Sequence, residues 1–289
     1  MSDAVAAARG SVGSADGTAI AWFREDPAAG AGPPDASRPA LVLVHGATAD
    51  HSAFRVVGPL LAASRRVLAI DRRGRGASGD RAPYAIEREY EDLARVVDWL
   101  AHSSGGPVDV MGHSFGGRVG LGAARLTSNL RRLVVYEGAP APAGQGFHDP
   151  ALLARLDDLA ASGDLEAVMV TFMTEVVRLP RPDLEAYRRG PTWSIRVAAA
   201  ATAIRELRAE AGPGASLDVL AEVHIPVLQI VGGASPDVFV AGTRELDARL
   251  ANGRIAILAG QRHAAHHTAP TAFVAAVEAF LDGSVTIAA

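Results

Sequence analysis

No cysteine occurs among the 289 residues. Disulfides, thiolate nucleophiles and zinc sites built on sulfur are thereby excluded. There is no excess of positive charge either: 28 Lys and Arg stand against 32 Asp and Glu, a formal charge of -4. A chain without a basic field has nothing with which to neutralise a phosphate backbone, so nucleic acid is not an expected partner. Charged or Gly/Pro positions interrupt every apolar run before it nears the roughly 20 residues of a membrane span, which argues against a membrane partner. Met1 to Gly10 is alanine-rich but has no cationic start, apolar stretch and small-residue cleavage site, and reads as a short loose tail. These absences point to a soluble, cytoplasmic protein. What is abundant is apolar residue, 49% of the chain, enough for one large domain or one domain with an insertion.

Asp16-Gly17 sits between two strand-like runs from Ser11 to Phe23 and predicts a hairpin. A Pro-, Gly- and Ala-rich stretch over residues 26–39 then connects to a buried strand, Ala40 to His45. Short apolar runs alternate with helical patterns from there. The strands are Val67–Ile70, Val108–Met111, Leu133–Tyr136, Val227–Val231 and Ile255–Leu258, and Ile86, Tyr90, Leu93, Val97 and Leu100 recur at helical spacing. Further helices are expected over Val240–Leu250 and Pro270–Leu281. Continuously apolar strands separated by helices indicate a mostly parallel, eight-stranded sheet covered on both faces, an α/β fold. Between Gly138 and Val223 no strand signal appears, but three or four helical segments do. One is opened by Asp164 as N-cap, with Leu165, Val168, Phe172 and Val176 on one face, and another runs from Trp193 to Ala211. The expected division is a core of residues 1–137 and 224–289 with a helical cap over 138–223; the alternative is that this block merely extends the helical layer.

Gly112-His113-Ser114-Phe115-Gly116-Gly117 follows one strand and precedes a helical stretch. This is a G-x-S-x-G in strand, turn, helix order. So tight a turn holds Ser114 in a strained conformation, and side chains at 112 and 116 would meet neighbouring backbone. The serine hydroxyl is then presented at a helix N-terminus, where negative charge is favoured. After the strand ending near His45, the backbone of Ala47 is placed to donate one N–H to an oxyanion, with the N–H of Phe115 as the second donor. His45 itself is expected to hold the loop. His263 follows the strand Ile255–Leu258 and Gly260, where an imidazole can take the Ser114 proton. His266 and His267 lie close by; with no carboxylate at matching spacing they are expected to be solvated or to contact the cap, and no metal or other cofactor is expected. The arginines of Asp71-Arg72-Arg73-Gly74-Arg75-Gly76-Ala77-Ser78 suggest phosphate binding, but the segment is not a strand-to-helix P-loop and reads as a structural turn.

Taken together, the His45-Gly46 loop, the Asp71 to Gly79 loop, the elbow, the cap position and the Gly260 to His263 loop resemble the α/β-hydrolase superfamily, in its capped, MhpC-like or haloperoxidase-like branch. The resemblance spans nearly the whole chain. It implies a catalytic triad, and here the sequence departs from the commoner pattern. In many members the acid stands about three residues after a glycine closing the seventh strand, and Ser235 occupies that slot in Gly232-Gly233-Ala234-Ser235-Pro236. Glu137, directly after the sixth strand, matches a second placement known in the superfamily; Asp237 is the alternative. Ser114 also prunes the branch, because haloalkane dehalogenases and epoxide hydrolases carry aspartate there. The expected reaction is cleavage of a carboxylic ester or similar acyl bond of a small, partly apolar substrate through an acyl-Ser114 intermediate, with Met169, Phe172, Met173 and Trp193 as apolar wall or core. A cofactor-free tailoring enzyme or perhydrolase on the same scaffold is the alternative, and a low-turnover ligand receptor the next. The sequence carries no signal for oligomeric state.

Overall fold

The computed structural model describes residues 8–142, 144 and 149–283. Its eight strands, in chain order, are β1 (Arg9–Gly13), β2 (Ala19–Arg24), β3 (Leu41–Val44), β4 (Val67–Ile70), β5 (Val108–His113), β6 (Leu130–Tyr136), β7 (Val227–Gly232) and β8 (Gly253–Leu258). They form one sheet in the order β1-β2-β4-β3-β5-β6-β7-β8. β1 and β2 pair antiparallel with each other and β2 with β4; all other neighbours are parallel. Most of the segment read as an N-terminal tail, residues 1–7, lies outside the described residues, but Arg9 and Gly10 belong to β1, where they pair with Phe23 and Trp22.

β3 and β4 are apolar at every position because both faces are covered. Val42, Val44, Leu68, Ile70 and Val110 point to one face, packing with helix α2 (Ile86–Ser104) and helix α3 (Phe115–Ala123). Leu41, Leu43, Val67, Ala69 and Met111 point to the other, against helix α1 (Gly58–Ala62) and the last helix (Pro270–Leu281). This is the period-two alternation of a strand with apolar residues in both registers. Each of these Val, Leu, Ile and Met side chains contributes on the order of 1.5–3 kcal/mol by leaving water.

Between β6 and β7 the described residues hold helices α4 (Pro150–Ala161), α5 (Leu165–Thr171), α6 (Arg181–Arg188), α7 (Trp193–Ala198), α8 (Ala200–Ala209) and α9 (Leu217–Leu220), more than the three or four expected. The helix anticipated over Trp193–Ala211 is broken at Ala199 into α7 and α8. Asp164 caps α5 by accepting from the Ala167 N–H at 2.9 Å, and the chain continues into a π-turn over Phe172–Val176. Leu156, Val168, Met169, Phe172, Met173, Trp193, Ile204 and Leu207 form a separate apolar cluster, which closes onto Val238 and Phe239 of helix α10 (Asp237–Asp247). α10 starts three residues earlier than the pattern from Val240 suggested, capped by proline at 236. A short helix, α11 (Ala265–Thr268), precedes the last, α12 (Pro270–Leu281).

Candidate active site

Parallel strands bring their C-terminal ends to one edge of the sheet, and the loops that follow them meet there. The residue after β5 is Ser114, whose backbone has φ 53° and ψ −124°. A Cβ on Gly112 would lie 2.3 Å from the Gly116 carbonyl oxygen, and one on Gly116 2.2 Å from that of Val44, so only glycine permits this turn. The turn is pinned by the Ser114 N–H donating to Tyr136 O at 2.7 Å and by the Gly117 N–H donating to Ser114 O at 2.8 Å. Ser114 Oγ itself makes no hydrogen bond to another described residue.

After β6 the chain enters Glu137, again with positive φ, 46°. Its carboxylate is buried and filled by donors. Oε1 accepts from the Gly232 N–H at 2.8 Å and from Ser235 Oγ at 2.5 Å, and Oε2 lies 2.6 Å from His263 Nδ1. Ser235, in the slot where many members of the fold place an acid, thus donates to the carboxylate of Glu137 at the end of the neighbouring strand. Asp237 is exposed at the first turn of α10 and is not bonded to His263.

The His263 loop is braced by residues whose part the sequence did not disclose. His113 Nε2 bonds the His263 carbonyl at 2.9 Å, and burial holds the His113 imidazole well below its usual pKa, hence neutral. The Tyr136 hydroxyl donates to Arg262 O and accepts from the Ala265 N–H at 2.8 Å. Phe239 stacks on the His263 ring, centroids 4.8 Å apart. The one hint in the sequence was position, since His113 and Tyr136 are the last residues of β5 and β6.

On the other side stands the loop after β3. His45 is fully buried, with Nδ1 against Gly46 O at 2.9 Å and Nε2 accepting from the Arg72 N–H at 3.1 Å, so neither nitrogen is free. Its carbonyls are held by arginine. Arg72 donates to His45 O at 3.0 Å and Gly46 O at 3.2 Å, and Arg75 Nε to Ala47 O at 3.1 Å. With these three carbonyls turned to the arginines, the Ala47 N–H has no acceptor among the described residues, nor has that of Phe115 at the start of α3. The Phe115 side chain is buried, with the Arg72 guanidinium 4.7 Å from its ring centroid. Both arginines reach Glu206 of α8, at 3.1 Å and 2.8 Å, and Arg72 also reaches Glu89 of α2 at 2.7 Å. The Asp71 to Ser78 segment is therefore a structural turn, as expected, but one that ties the helical insertion to the loop facing Ser114. Sequence gave no sign of this, because the partners are more than 130 residues apart.

Ser114, Glu137, His263 and Ala47 line one cavity of about 660 Å³. Phe172 and Met173 line it too, whereas Met169 and Trp193 belong only to the apolar cluster of the insertion. A second cavity, about 730 Å³, contains none of the four. His266, expected to be solvated or to contact the cap, is not solvated: it is 3% exposed, its ring 4.5 Å from that of His113. No group of three or more metal-ligating side chains occurs among the described residues.

A mostly parallel eight-stranded sheet with a strained serine between β5 and α3 and a histidine after β8 is an α/β-hydrolase fold, and the protein is an enzyme of that class. The chain belongs to the α/β hydrolase family, whose model matches residues 41–277. Among its relatives is the pimeloyl-[acyl-carrier protein] methyl ester esterase of Neisseria meningitidis, 26% identical over 262 residues that make up 87% of this chain and 96% of the relative. An α/β hydrolase from Sphaerobacter thermophilus superposes with a TM-score of 0.75 at 33% identity, covering 92% of this chain and 99% of its own. The enol-lactonase of Burkholderia xenovorans shares the fold, with a TM-score of 0.74 at 21% identity over 94% of this chain and all of its own. No described helix is long and apolar enough to cross a membrane.

Proposed function

We propose that the protein is a serine hydrolase that cleaves a carboxylic ester or related acyl bond of a small, partly apolar molecule. The observation that carries this reading is the contact of 2.6 Å between Glu137 Oε2 and His263 Nδ1 at the rim of the cavity holding Ser114. A carboxylate there fixes the proton on Nδ1 and leaves Nε2 as the base. In the reaction His263 takes the Ser114 proton as Oγ attacks the carbonyl; the tetrahedral oxyanion is held by the N–H groups of Ala47 and Phe115; His263⁺ protonates the departing alcohol; and water repeats the sequence on the acyl-Ser114 ester. In free enzymes the serine–histidine hydrogen bond is often long and tightens only on substrate, which accommodates an unbonded Ser114 Oγ. The helices over 138–223 serve as the cap, with Phe172, Met173 and Val176 as the apolar wall. The esterase activity in the name of the Neisseria relative supports an ester over other acyl bonds. The test is hydrolysis of p-nitrophenyl butyrate: wild type turns it over and Ser114→Ala abolishes turnover with Tm unchanged. Turnover by Ser114→Ala close to wild type would end the proposal.

A further inference from the structure

The cavity's charges do not balance. Of the acids lining it, Glu137 is engaged by His263, Ser235 and Gly232, Glu210 is ion-paired with Arg118, and Asp183 is exposed at the rim. Arg196 of α7 has no such partner. Its guanidinium forms no ion pair with any described residue; Nη1 lies 3.4 Å from Thr48 Oγ1, the Tyr187 ring centroid lies 5.6 Å from Cζ, and Nε is buried without a hydrogen bond. The half-buried side chain thus carries a positive charge at the cavity with no carboxylate of the described residues paired to it. Two more buried, unpartnered nitrogens belong to residues of the same cavity, His266 Nδ1 and His267 Nδ1, whose rings are 4.1 Å apart. Burial first, and the charge of Arg196 among the lesser causes, holds both imidazoles below their usual pKa, His267 at about 4. Both rings are therefore neutral, with Arg55 as well as Arg196 contributing positive charge near them, and Arg196 is the cation that reaches Thr48. Thr48 is the residue after the proposed oxyanion donor Ala47, so this corner adjoins the place where the scissile carbonyl would sit.

We infer that Arg196 and Thr48, beside His267, form a subsite for a carboxylate on the acyl side of the substrate, so that the enzyme's preferred substrates are monoesters or lactones carrying a second, ionised carboxyl group. This rests on the hydrolase reading above and narrows its substrate class. A carboxylate paired with the Nη groups of Arg196 would supply the counter-charge the residue lacks and would orient the acyl chain with its ester toward Ser114.

The test compares monomethyl adipate with methyl hexanoate, equal in length but with methyl in place of carboxylate, by acid release at constant pH. Wild type is expected to favour the anionic ester by about 10- to 100-fold in kcat/KM, the range of a charge-assisted hydrogen bond. Arg196→Gln should erase that preference, lowering the anionic ester alone and leaving methyl hexanoate within about twofold. Arg196→Lys should keep part of the preference, since it keeps the charge but not the planar fork. Equal rates on the two esters in wild type, or a proportional loss of both in Arg196→Gln, would overturn the subsite. Calorimetric titration with adipate separates the two proposals, because it needs no turnover. If neither ester is hydrolysed but adipate binds wild type and not Arg196→Gln, the hydrolase reading falls and the subsite stands; adipate binding unchanged by the substitution overturns the subsite.

Discussion

Replacing Glu137 by glutamine tests the polar architecture with almost no change in shape. The carboxylate accepts three hydrogen bonds, from the Gly232 N–H, from Ser235 Oγ and from His263 Nδ1, at 2.8, 2.5 and 2.6 Å. Glutamine has one oxygen and one NH2 group. If its oxygen keeps Gly232 and Ser235, the NH2 faces His263 Nδ1, which must then become an acceptor and shift its proton to Nε2. That tautomer cannot take the Ser114 proton, and the negative charge that would stabilise the imidazolium is gone as well. The opposite rotamer keeps the tautomer but sets an NH2 against the buried Gly232 N–H and Ser235 hydroxyl, an unmade donor pair costing about 1–3 kcal/mol. The first rotamer should therefore prevail, with a fall in kcat of about 10⁴-fold, as is typical when a triad acid is amidated. KM should move little and Tm by a few degrees at most. Asp237→Asn, at an exposed helix start, should leave kcat within about twofold. The assay is steady-state hydrolysis of p-nitrophenyl butyrate by both variants. Glu137→Gln retaining more than a tenth of wild-type kcat, or Asp237→Asn matching its loss, would refute the assignment of the acid.

Two further outcomes follow from groups away from the serine. Arg75→Met removes the donor to Ala47 O and one of two cations on Glu206, both buried; a broken buried pair costs about 3 kcal/mol, read as a lower Tm, and the loosened loop carrying Ala47, the proposed oxyanion donor, should lower kcat about 10-fold or more with KM nearly unchanged. Wild-type kcat in that variant would mean the arginine only ties down the insertion. Burial raises the Glu25 carboxyl to about 7, opposed by the charge of His51 and helped by that of Asp26. A raised folded pKa means the folded state binds the extra proton between the unfolded value near 4.5 and about 7, so this group's contribution to stability is full below 4.5 and is lost as pH rises through 7. The decline in Tm from pH 5 to pH 8 should accordingly be smaller in Glu25→Gln than in wild type; parallel curves would show that Glu25 titrates normally.

The parts legible in the sequence were those that a single local pattern determines. β4 and α12 fall where the apolar runs placed them, because a strand covered on both faces shows no polar position and a terminal helix shows its period. β6 begins three residues earlier than its apolar run, at Leu130, because Arg131 and Arg132 are accommodated there. Arg131 reaches Asp109 at 2.9 Å and Arg132 reaches Leu281 O at 3.0 Å, across distances no local window spans. His263 is legible from its place after a strand and Glu137 from the second acid placement that the resemblance implies, but Ser235's hydrogen bond to Glu137 is not, since a serine in an acid's slot has meaning only once the second strand end is beside it. The break at Ala199 and the π-turn at Phe172–Val176 lie inside strongly helical sequence with no proline or glycine to mark them.

The central claim is that Ser114 is the atom-donating nucleophile of the cavity, and an irreversible acylation mimic addresses it without requiring the natural substrate. Diethyl p-nitrophenyl phosphate should transfer one diethylphosphoryl group per chain, releasing one equivalent of p-nitrophenol, with activity lost in proportion. Mass mapping should place the whole label on the peptide containing Ser114, and His263→Ala should slow labelling by orders of magnitude. A label on any other residue, or full activity in a fully labelled Ser114 protein, would contradict the account.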